Sequence, residues 1–144
     1  MDEVVKSQTA IRNGINNTLP INRLEAVTAV ANYILEPVRE YVGVPFSPSS
    51  WYRSPELNKL KSRSTNSQHM TGEAVDFEIP GRDNFEIACW IEDNLEYDQL
   101  ILEFYNEKDV SSGWIHCSYS LTHNRRQSLR TPDGIRYYKG LHDA

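Results

Sequence analysis

The segment spanning residues 44–70 constrains the fold of this chain more than any other feature. Its sequence, VPFSPSSWYRSPELNKLKSRSTNSQHM, is dense in Ser, Pro and Asn, and predicts only one or two helical turns, over 55–60. A connection this long with so little regular structure is uncommon in a compact domain unless it forms a binding surface. The sequence therefore predicts a functional loop between a helical N-terminal part and a C-terminal part built mainly from strands.

A helix is predicted directly before this loop. Asn22 and Glu25 have the spacing of a capping box, in which two side chains bond the free backbone N–H groups of the first turn. Pro37 is expected to kink the helix or to begin a new turn, and Gly43 to end it. Its apolar residues recur at helical spacing and would face the core: Leu24, Val27, Ala31, Ile34, Leu35 and Val38.

After the loop, the pattern changes to short strands. Residues 74–79 alternate between polar and apolar side chains, which predicts a strand. Asp83 and Glu86 form a second capping box before a helix predicted over 84–92.

Two further strands are predicted over 98–104 and 113–119, joined by a polar loop, and we expect them to form an antiparallel pair. A Pro-Asp-Gly turn at 132–134 is consistent with a closing hairpin in the tail. The sequence thus predicts an α+β fold in which N-terminal helices pack on a small, mostly antiparallel sheet.

Size and charge limit the function. A chain of 144 residues fits one domain, predicted to span 1–144, and 39% hydrophobic with 24% charged residues is typical of a globular protein. The net charge is -5 with no long basic run, which argues against a nucleic-acid partner because phosphate binding needs a concentrated cationic face. We expect a monomer.

Cys89 and Cys117 are too few for a disulfide framework, so we interpret both as free thiols in a reducing compartment. The opening sequence, MDEVVKSQTA, carries acids where a secretion signal carries bases. No stretch approaches the roughly 20 apolar residues that span a membrane, so no membrane insertion is expected. We therefore expect synthesis in the cytoplasm without a signal peptide.

A candidate metal site begins at the end of the long loop. His69 and Asp76 lie seven positions apart, and Gly72 allows the chain to reverse tightly between them. Imidazole and carboxylate are good zinc ligands, and a hydrolytic zinc site needs three protein ligands and one open position. The spacing alone leaves open a surface histidine and a structural aspartate.

The third candidate ligand is His116. On its predicted strand it shares a face with Trp114, whereas Cys117 faces the other side and is interpreted as a core residue. His123 and His142 lie in the polar tail without a ligand partner nearby in sequence, so we interpret both as solvated.

These residues belong to a longer pattern that resembles a known family. The pattern is Ser67-x-His69-x-x-Gly72-x-Ala74-x-Asp76, followed later by Trp114-Ile115-His116. It resembles the zinc D-alanyl-D-alanine carboxypeptidase family, which also contains D-Ala-D-Ala dipeptidases and the L-alanyl-D-glutamate peptidases of bacteriophage endolysins.

Two other segments extend the resemblance to residues 7–119. SWYRSPELN at 50–58 resembles the family segment S-G-Y-R-S-P-x-L-N, with Trp51 where glycine is usual. SQTAIRNGINNT at 7–18 resembles the opening of the short phage and prophage members.

The resemblance implies a zinc peptidase that cuts stem peptides of bacterial peptidoglycan, with His69, Asp76 and His116 as metal ligands. The bond cut is either a terminal D-Ala-D-Ala bond or the L-Ala-D-Glu bond. A phage or prophage lysis enzyme is implied, acting on the wall after release or from a virion. Family members often carry the catalytic base three residues before the second histidine, where this chain has Gly113.

Glu103 is our candidate for the missing base. It ends an apolar strand, and half of the antiparallel registers place it on the face that carries His116. Burial there would raise its pKa, and the charge of zinc would oppose that rise. A strand-end acid facing water stays open as an alternative, and Glu107 and Asp109 in the following loop are further candidates.

Arg53 is the candidate substrate anchor and catalytic cation. Its guanidinium can hold a carboxylate through two parallel hydrogen bonds or stabilise a developing oxyanion, and the resemblance places it near the metal. Ser67 and Gln68 flank His69 and are candidates for binding the peptide backbone. Trp51 and Tyr52 are expected to pack the loop.

A different class of function stays open at this point. Gly113 in place of the usual base favours a catalytically weak, zinc-stabilised cell-wall-binding or virion structural module with the same fold.

Overall fold

The computed structural model describes residues 2–62 and 64–142, so the ends of the predicted domain at 1, 143 and 144 lie outside the described residues. The α-helices are α1 (Asp2–Val5), α2 (Gln8–Asn13), α3 (Leu24–Val30), α4 (Glu36–Val42), α5 (Pro55–Lys61) and α6 (Asn84–Asn94). The strands are β1 (Ala74–Phe77), β2 (Gln99–Glu103), β3 (Trp114–Ser118), β4 (Gln127–Thr131) and β5 (Tyr138–Lys139). The predicted α+β fold class is confirmed. Across the described residues, no helix is both long and apolar enough to cross a membrane.

The helix predicted before the long loop forms, but its geometry changes along its length. A 3-10 turn at Ile21–Arg23 leads into α3, and a π-helical segment at Ala31–Leu35 joins α3 to α4. Pro37 has no backbone N–H, and its ring crowds the preceding turn, so the wider π turn beside it takes the place of a sharp kink. Gly43 ends α4 with a φ of 69°, as predicted.

The capping box predicted at Asn22 is wrong. Pro20 fixes an extended backbone (φ -63°, ψ 143°) directly before the 3-10 turn, so Asn22 lies inside the first turn and cannot cap it. α3 likewise begins at Leu24 without a side-chain cap from Arg23 before it. At the second box only the Asp83 half forms, since its carboxylate accepts a hydrogen bond from the backbone N–H of Phe85. The Glu86 carboxylate instead accepts hydrogen bonds from Arg82 and Tyr41.

The five strands form one sheet in the order β1-β3-β2-β4-β5. The predicted antiparallel pairing of β2 with β3 is confirmed, and β1 adds to the other edge of β3, also antiparallel. The tail returns as the closing hairpin β4–β5, but β4 runs parallel to β2. The tail therefore widens the sheet on the side away from β1.

The register places four side chains in one row across the sheet. Asp76 pairs with His116, His116 with Ile101, and Ile101 with Leu129. Because side chains alternate along a strand, the intervening residues lie on the opposite face. That face is buried against α6 and the α3–α4 helix, with a core that includes Val30, Ile34, Val38, Val75, Phe77, Ile87, Ile91, Leu100, Leu102, Ile115 and Cys117. One face of the sheet is thus core, and the other is open.

Candidate metal centre

Two histidines and one aspartate meet on the open face of the sheet. The Asp76 Oδ1 atom lies 3.2 Å from His69 Nε2 and 3.0 Å from His116 Nδ1. One ligand atom of each residue lies within 4.8 Å of the other two. Two atoms bound tetrahedrally to one zinc ion at about 2.1 Å are about 3.4 Å apart, so this spacing fits a zinc site.

His69 is oriented by the main chain. Its Nδ1 lies 2.6 Å from the carbonyl oxygen of Trp51 and donates its proton there, which leaves Nε2 as the free lone pair. The side chain is 1% exposed, so the alternative of a surface histidine is wrong. Gly72, with a φ of 77°, makes the reversal that brings His69 back to Asp76 on β1.

The contact between His69 and Asp76 needs a positive charge between its atoms. Both facing atoms are hydrogen-bond acceptors when Nδ1 carries the proton of His69. Burial lowers the pKa of His69 despite the nearby Asp76 carboxylate, so a second ring proton is disfavoured at neutral pH. A metal cation satisfies both acceptors, and these donor atoms therefore fit zinc.

The charges on Asp76 and His116 favour each other. Burial alone would raise the pKa of Asp76, but the two histidines hold it well below its usual range. Burial would lower the pKa of His116, but the Asp76 hydrogen bond and the Asp76 and Glu103 charges raise it. Asp76 is therefore a permanent carboxylate, available as a ligand across the ordinary pH range.

Glu103 lies beside the three candidate ligands. Its Oε2 is 4.0 Å from His116 Nδ1 and accepts a hydrogen bond of 3.0 Å from the indole N–H of Trp114, its register partner on β3. The side chain is 17% exposed, so the alternative of a strand-end acid facing water is wrong. Burial, followed by the Asp76 charge, raises the pKa of Glu103 to about 7.

Gly113 has no room for a side chain. A β-carbon there would lie 2.2 Å from the Glu103 carbonyl oxygen and 2.8 Å from backbone atoms of Phe104 and Tyr105. Its φ of 70° is also unfavourable for other residues. In this backbone, an acid at the position usual for the family is sterically excluded.

Arg53 is held next to His69 by its backbone, because its N–H donates to the carbonyl oxygen of His69 at 3.0 Å. Its guanidinium lies in the same cleft, and the buried Nε atom has no partner among the described residues. Burial lowers the pKa of Arg53, and the Asp76 and Glu103 charges oppose that shift.

Asn17 is a residue that the sequence analysis missed. Its buried side-chain amide donates to the carbonyl oxygens of Val5 and Tyr52 and accepts from the N–H of Ser54. The bonds with Tyr52 and Ser54 fix the backbone on both sides of Arg53, and the bond to Val5 joins this segment to α1. No local pattern marks Asn17, because its partners at 52 and 54 are distant in sequence.

Gln68 connects the loop to the start of β2. Its side-chain N–H donates to Asp98 at 2.9 Å, which leaves the side-chain oxygen Oε1 for another donor. Asp98 also accepts two hydrogen bonds from the Arg125 guanidinium, both of 2.9 Å. The Ser67 hydroxyl accepts the backbone N–H of His69 and so stabilises the turn before the ligand.

A cleft of about 960 Å³ contains all of these predicted site residues. Its lining includes Arg53, Ser67, Gln68, His69, Asp76, Glu103 and His116, together with Leu129, Asp133, Ile135 and Tyr137 from the tail. The other base candidates, Glu107 and Asp109, are exposed and do not line it. His123 and His142 are also exposed and lie outside it.

Comparison with known proteins places the chain in a family. The model of a protein family described as Peptidase M15 matches residues 1–118. No curated protein matches the chain. The matched range contains the three candidate ligands, Arg53 and Glu103, and it ends before β4 and β5.

Proposed function

Because the chain belongs to the Peptidase M15 family, whose members are zinc-dependent peptidases of cell-wall peptides, we propose that it hydrolyses a peptide bond in the stem peptides of bacterial peptidoglycan. The observation that carries this proposal is that His69, Asp76 and His116 come together in an open cleft, which Glu103 and Arg53 also line. The bond is of the D-Ala-D-Ala carboxypeptidase or L-Ala-D-Glu endopeptidase type.

His69, Asp76 and His116 would hold the zinc ion, through two imidazole nitrogens and one carboxylate oxygen. Bound zinc supplies Lewis acidity, which polarises a carbonyl group and makes water more acidic. Trp51 keeps the proton of His69 on Nδ1, and the Asp76 carboxylate stays ionised. His69 and Asp76 are thus in the protonation states that metal binding requires, whereas His116, whose pKa Asp76 and Glu103 raise, would release a proton when the metal binds.

Glu103 is the proton carrier in this proposal. Its carboxylate takes a proton from the attacking water as the C–O bond forms, and then hands that proton to the leaving amine as the C–N bond breaks. A pKa near neutrality suits both transfers, and positive charge at the metal position would lower it. The Trp114 hydrogen bond holds the carboxylate in place without neutralising it.

Arg53 and Gln68 bind the peptide in this proposal. The Arg53 guanidinium donates to a substrate carboxylate or to the oxygen that becomes negative during attack. The side-chain oxygen of Gln68 accepts a hydrogen bond from a substrate N–H, since the side-chain N–H of Gln68 already donates to Asp98. Ser67 lies next to this position in the cleft.

The biological setting we propose is phage or prophage lysis. The support is the resemblance of residues 7–18 to the opening of the short phage and prophage members. In this setting, the protein is made in the cytoplasm and reaches the wall after release or in a virion. We propose that it acts as a monomer.

The alternative function, a catalytically weak wall-binding or virion structural module, was favoured by Gly113. The steric contact at Gly113 and the carboxylate at Glu103 give that glycine another explanation. Incubation with purified wall fragments separates the two functions. A peptidase releases new amino groups only with zinc, and mass spectrometry of the muropeptides identifies the bond; a binding module keeps wall affinity and releases none.

A further inference from the structure

The hairpin β4–β5 forms one side of the cleft, although it lies beyond the residues that match the family. Leu129 pairs with Lys139 and Arg130 with Tyr138. Continuing this register by one residue sets Tyr137 beside Thr131, which pairs with Glu103. Tyr137 therefore lies on the open face of the sheet, in the row that contains Glu103 and Trp114.

The turn of this hairpin is anchored on the residues around Glu103. The N–H of Gly134 donates to the Thr131 hydroxyl at 2.9 Å, and a β-carbon on Gly134 would lie 2.7 Å from the ring of Phe104. Phe104 stacks on Trp114 with a centroid distance of 5.0 Å. Trp114 is the residue that bonds Glu103, so the turn packs on the same aromatic pair that borders the candidate base.

The Asp133 side chain fixes the shape of the turn. Its Oδ1 accepts the backbone N–H groups of Ile135 at 2.9 Å and Arg136 at 2.8 Å. These local bonds hold Ile135 and Tyr137 on the cleft side, where both line the cavity.

The tail side of the cleft combines apolar and polar groups. Leu129, Ile135 and the Tyr137 ring are its apolar lining, and Leu129 pairs with Ile101 on the cleft floor, whereas Arg125 and Asp133 are its charged lining. Within residues 2–62 and 64–142, the Tyr137 hydroxyl has no hydrogen-bond partner, and the side chain is half exposed. Burial and the charges of Glu103 and Asp76 raise the pKa of Tyr137, so its hydroxyl keeps its proton and can donate.

We propose that Tyr137 is a substrate-contact residue: its hydroxyl donates to a backbone carbonyl oxygen of the bound peptide, and its ring forms with Leu129 and Ile135 a surface for a short aliphatic side chain next to the cut bond. This proposal rests on the proposed function. It assigns to the tail a part of the substrate site that the family match does not cover.

Tyr138 provides a matched control. It is the next residue of the same short strand and is similarly exposed, but it faces the other way and stacks against Arg130 at 5.1 Å. Loss of either ring should perturb the hairpin to a similar extent, whereas only Tyr137 faces the cleft.

The experiment measures peptide binding and cleavage for Tyr137→Phe, Tyr137→Ala and Tyr138→Ala, with a synthetic stem peptide as the probe. Binding is measured by calorimetry in a Glu103→Gln background, so that no turnover occurs. Tyr137→Phe should weaken binding about 3- to 10-fold, the range of one neutral hydrogen bond, and Tyr137→Ala should weaken it further. Tyr138→Ala should bind as the parent does, zinc content should stay equal across the set, and the two alanine variants should have similar Tm values.

Two results overturn the proposal, and they can be told apart. If the parent cleaves and binds the peptide and Tyr137→Ala does so equally well, Tyr137 is not a substrate contact and the proposed function stands. If the zinc-loaded parent neither binds nor cleaves any stem peptide, the proposed function fails and this proposal fails with it.

Discussion

Gly113 packs directly against the backbone of Glu103, with the Glu103 carbonyl oxygen in the space that a β-carbon at 113 would occupy. The usual position for the base, three residues before the second histidine, is therefore closed in this chain. The carboxylate beside His116 comes instead from the neighbouring strand, where Glu103 pairs with Trp114. The absence of an acid at 113 and the presence of one at 103 are thus parts of one structural feature. The tight turn into β3 leaves no room for an acid at 113, and β2 supplies the Glu103 carboxylate instead.

Gly113→Ala should destabilise the fold strongly. The new methyl group would lie 2.2 Å from the Glu103 carbonyl oxygen, and the backbone at residue 113 has a left-handed conformation, which alanine disfavours. We expect a loss of about 3 kcal/mol or more in the free energy of unfolding, measured by urea denaturation. Gly81→Ala is the control, since Gly81 has a φ of 74° but open space around it, and should cost only about 1 kcal/mol. Equal losses for the two variants would contradict the steric argument.

Glu103→Gln should keep zinc bound while turnover falls by about 10²–10⁴-fold, because the amide keeps the size of the side chain but cannot accept a proton. Metal analysis and peptide cleavage assays measure the two effects separately. Glu107→Gln is the matched control, since Glu107 is exposed and lies outside the cleft. Near-normal turnover in Glu103→Gln would move the base role away from this residue.

The metal site predicts one zinc per chain, with ligand distances of about 2.0–2.2 Å to His69, Asp76 and His116. His116→Ala should reduce zinc retention and abolish cleavage, because it removes one of three protein ligands. His123→Ala should retain the metal, since His123 is exposed and does not line the cleft. Full zinc occupancy in His116→Ala, measured after dialysis against a chelator, would argue strongly against this ligand set.

Arg53→Ala should lower kcat/KM by one to two orders of magnitude, as expected for a charge-assisted contact of about 1.5–3 kcal/mol. Arg53→Lys should restore only part of the activity, because a point charge lacks the planar fork of donors. Arg12→Ala, on an exposed face of α2, is the control. Unchanged kinetics with Arg53→Ala would exclude a role in substrate binding.

The local parts of this fold could be predicted from sequence. The Gly43 helix end, the Asp83 cap and the antiparallel β2–β3 pair follow from turn chemistry and alternation, which act over a few residues. The prediction failed at Asn22, where Pro20 imposed a backbone that the capping pattern does not encode.

The long-range parts could not be predicted in the same way. The parallel pairing of β4 with β2 and the three bonds of Asn17 join segments that are distant in sequence, so no local pattern marks them. From sequence, only half of the possible β2–β3 registers place Glu103 on the same face as His116. Packing of the two strands selects the actual register. The three ligands could be predicted because the family motif joins His69 and Asp76 to the distant His116. Residue spacing alone does not show that these three residues meet.

The Asp98 carboxylate should make stability depend on acid pH. Its hydrogen bonds from Arg125, which outweigh burial, lower the pKa of Asp98 to about 2, below the ordinary value of 3.8. A lowered folded-state pKa stabilises the fold above the unfolded pKa, and that contribution disappears as the pH falls from about 4 to about 2. The contribution is about 1–2 kcal/mol at neutral pH, allowing for the half-exposed Arg125 partner.

Urea unfolding of the parent and of Asp98→Asn between pH 7 and pH 2 measures this contribution, because all other titrating groups are common to both proteins. The stability difference between them should be largest near neutral pH and should shrink through the acid range. Arg125→Ala should flatten the same dependence, since it removes the donor that holds the Asp98 pKa down. Parallel stability curves for the parent and Asp98→Asn would show that Asp98 has the same proton affinity in the folded and unfolded chain.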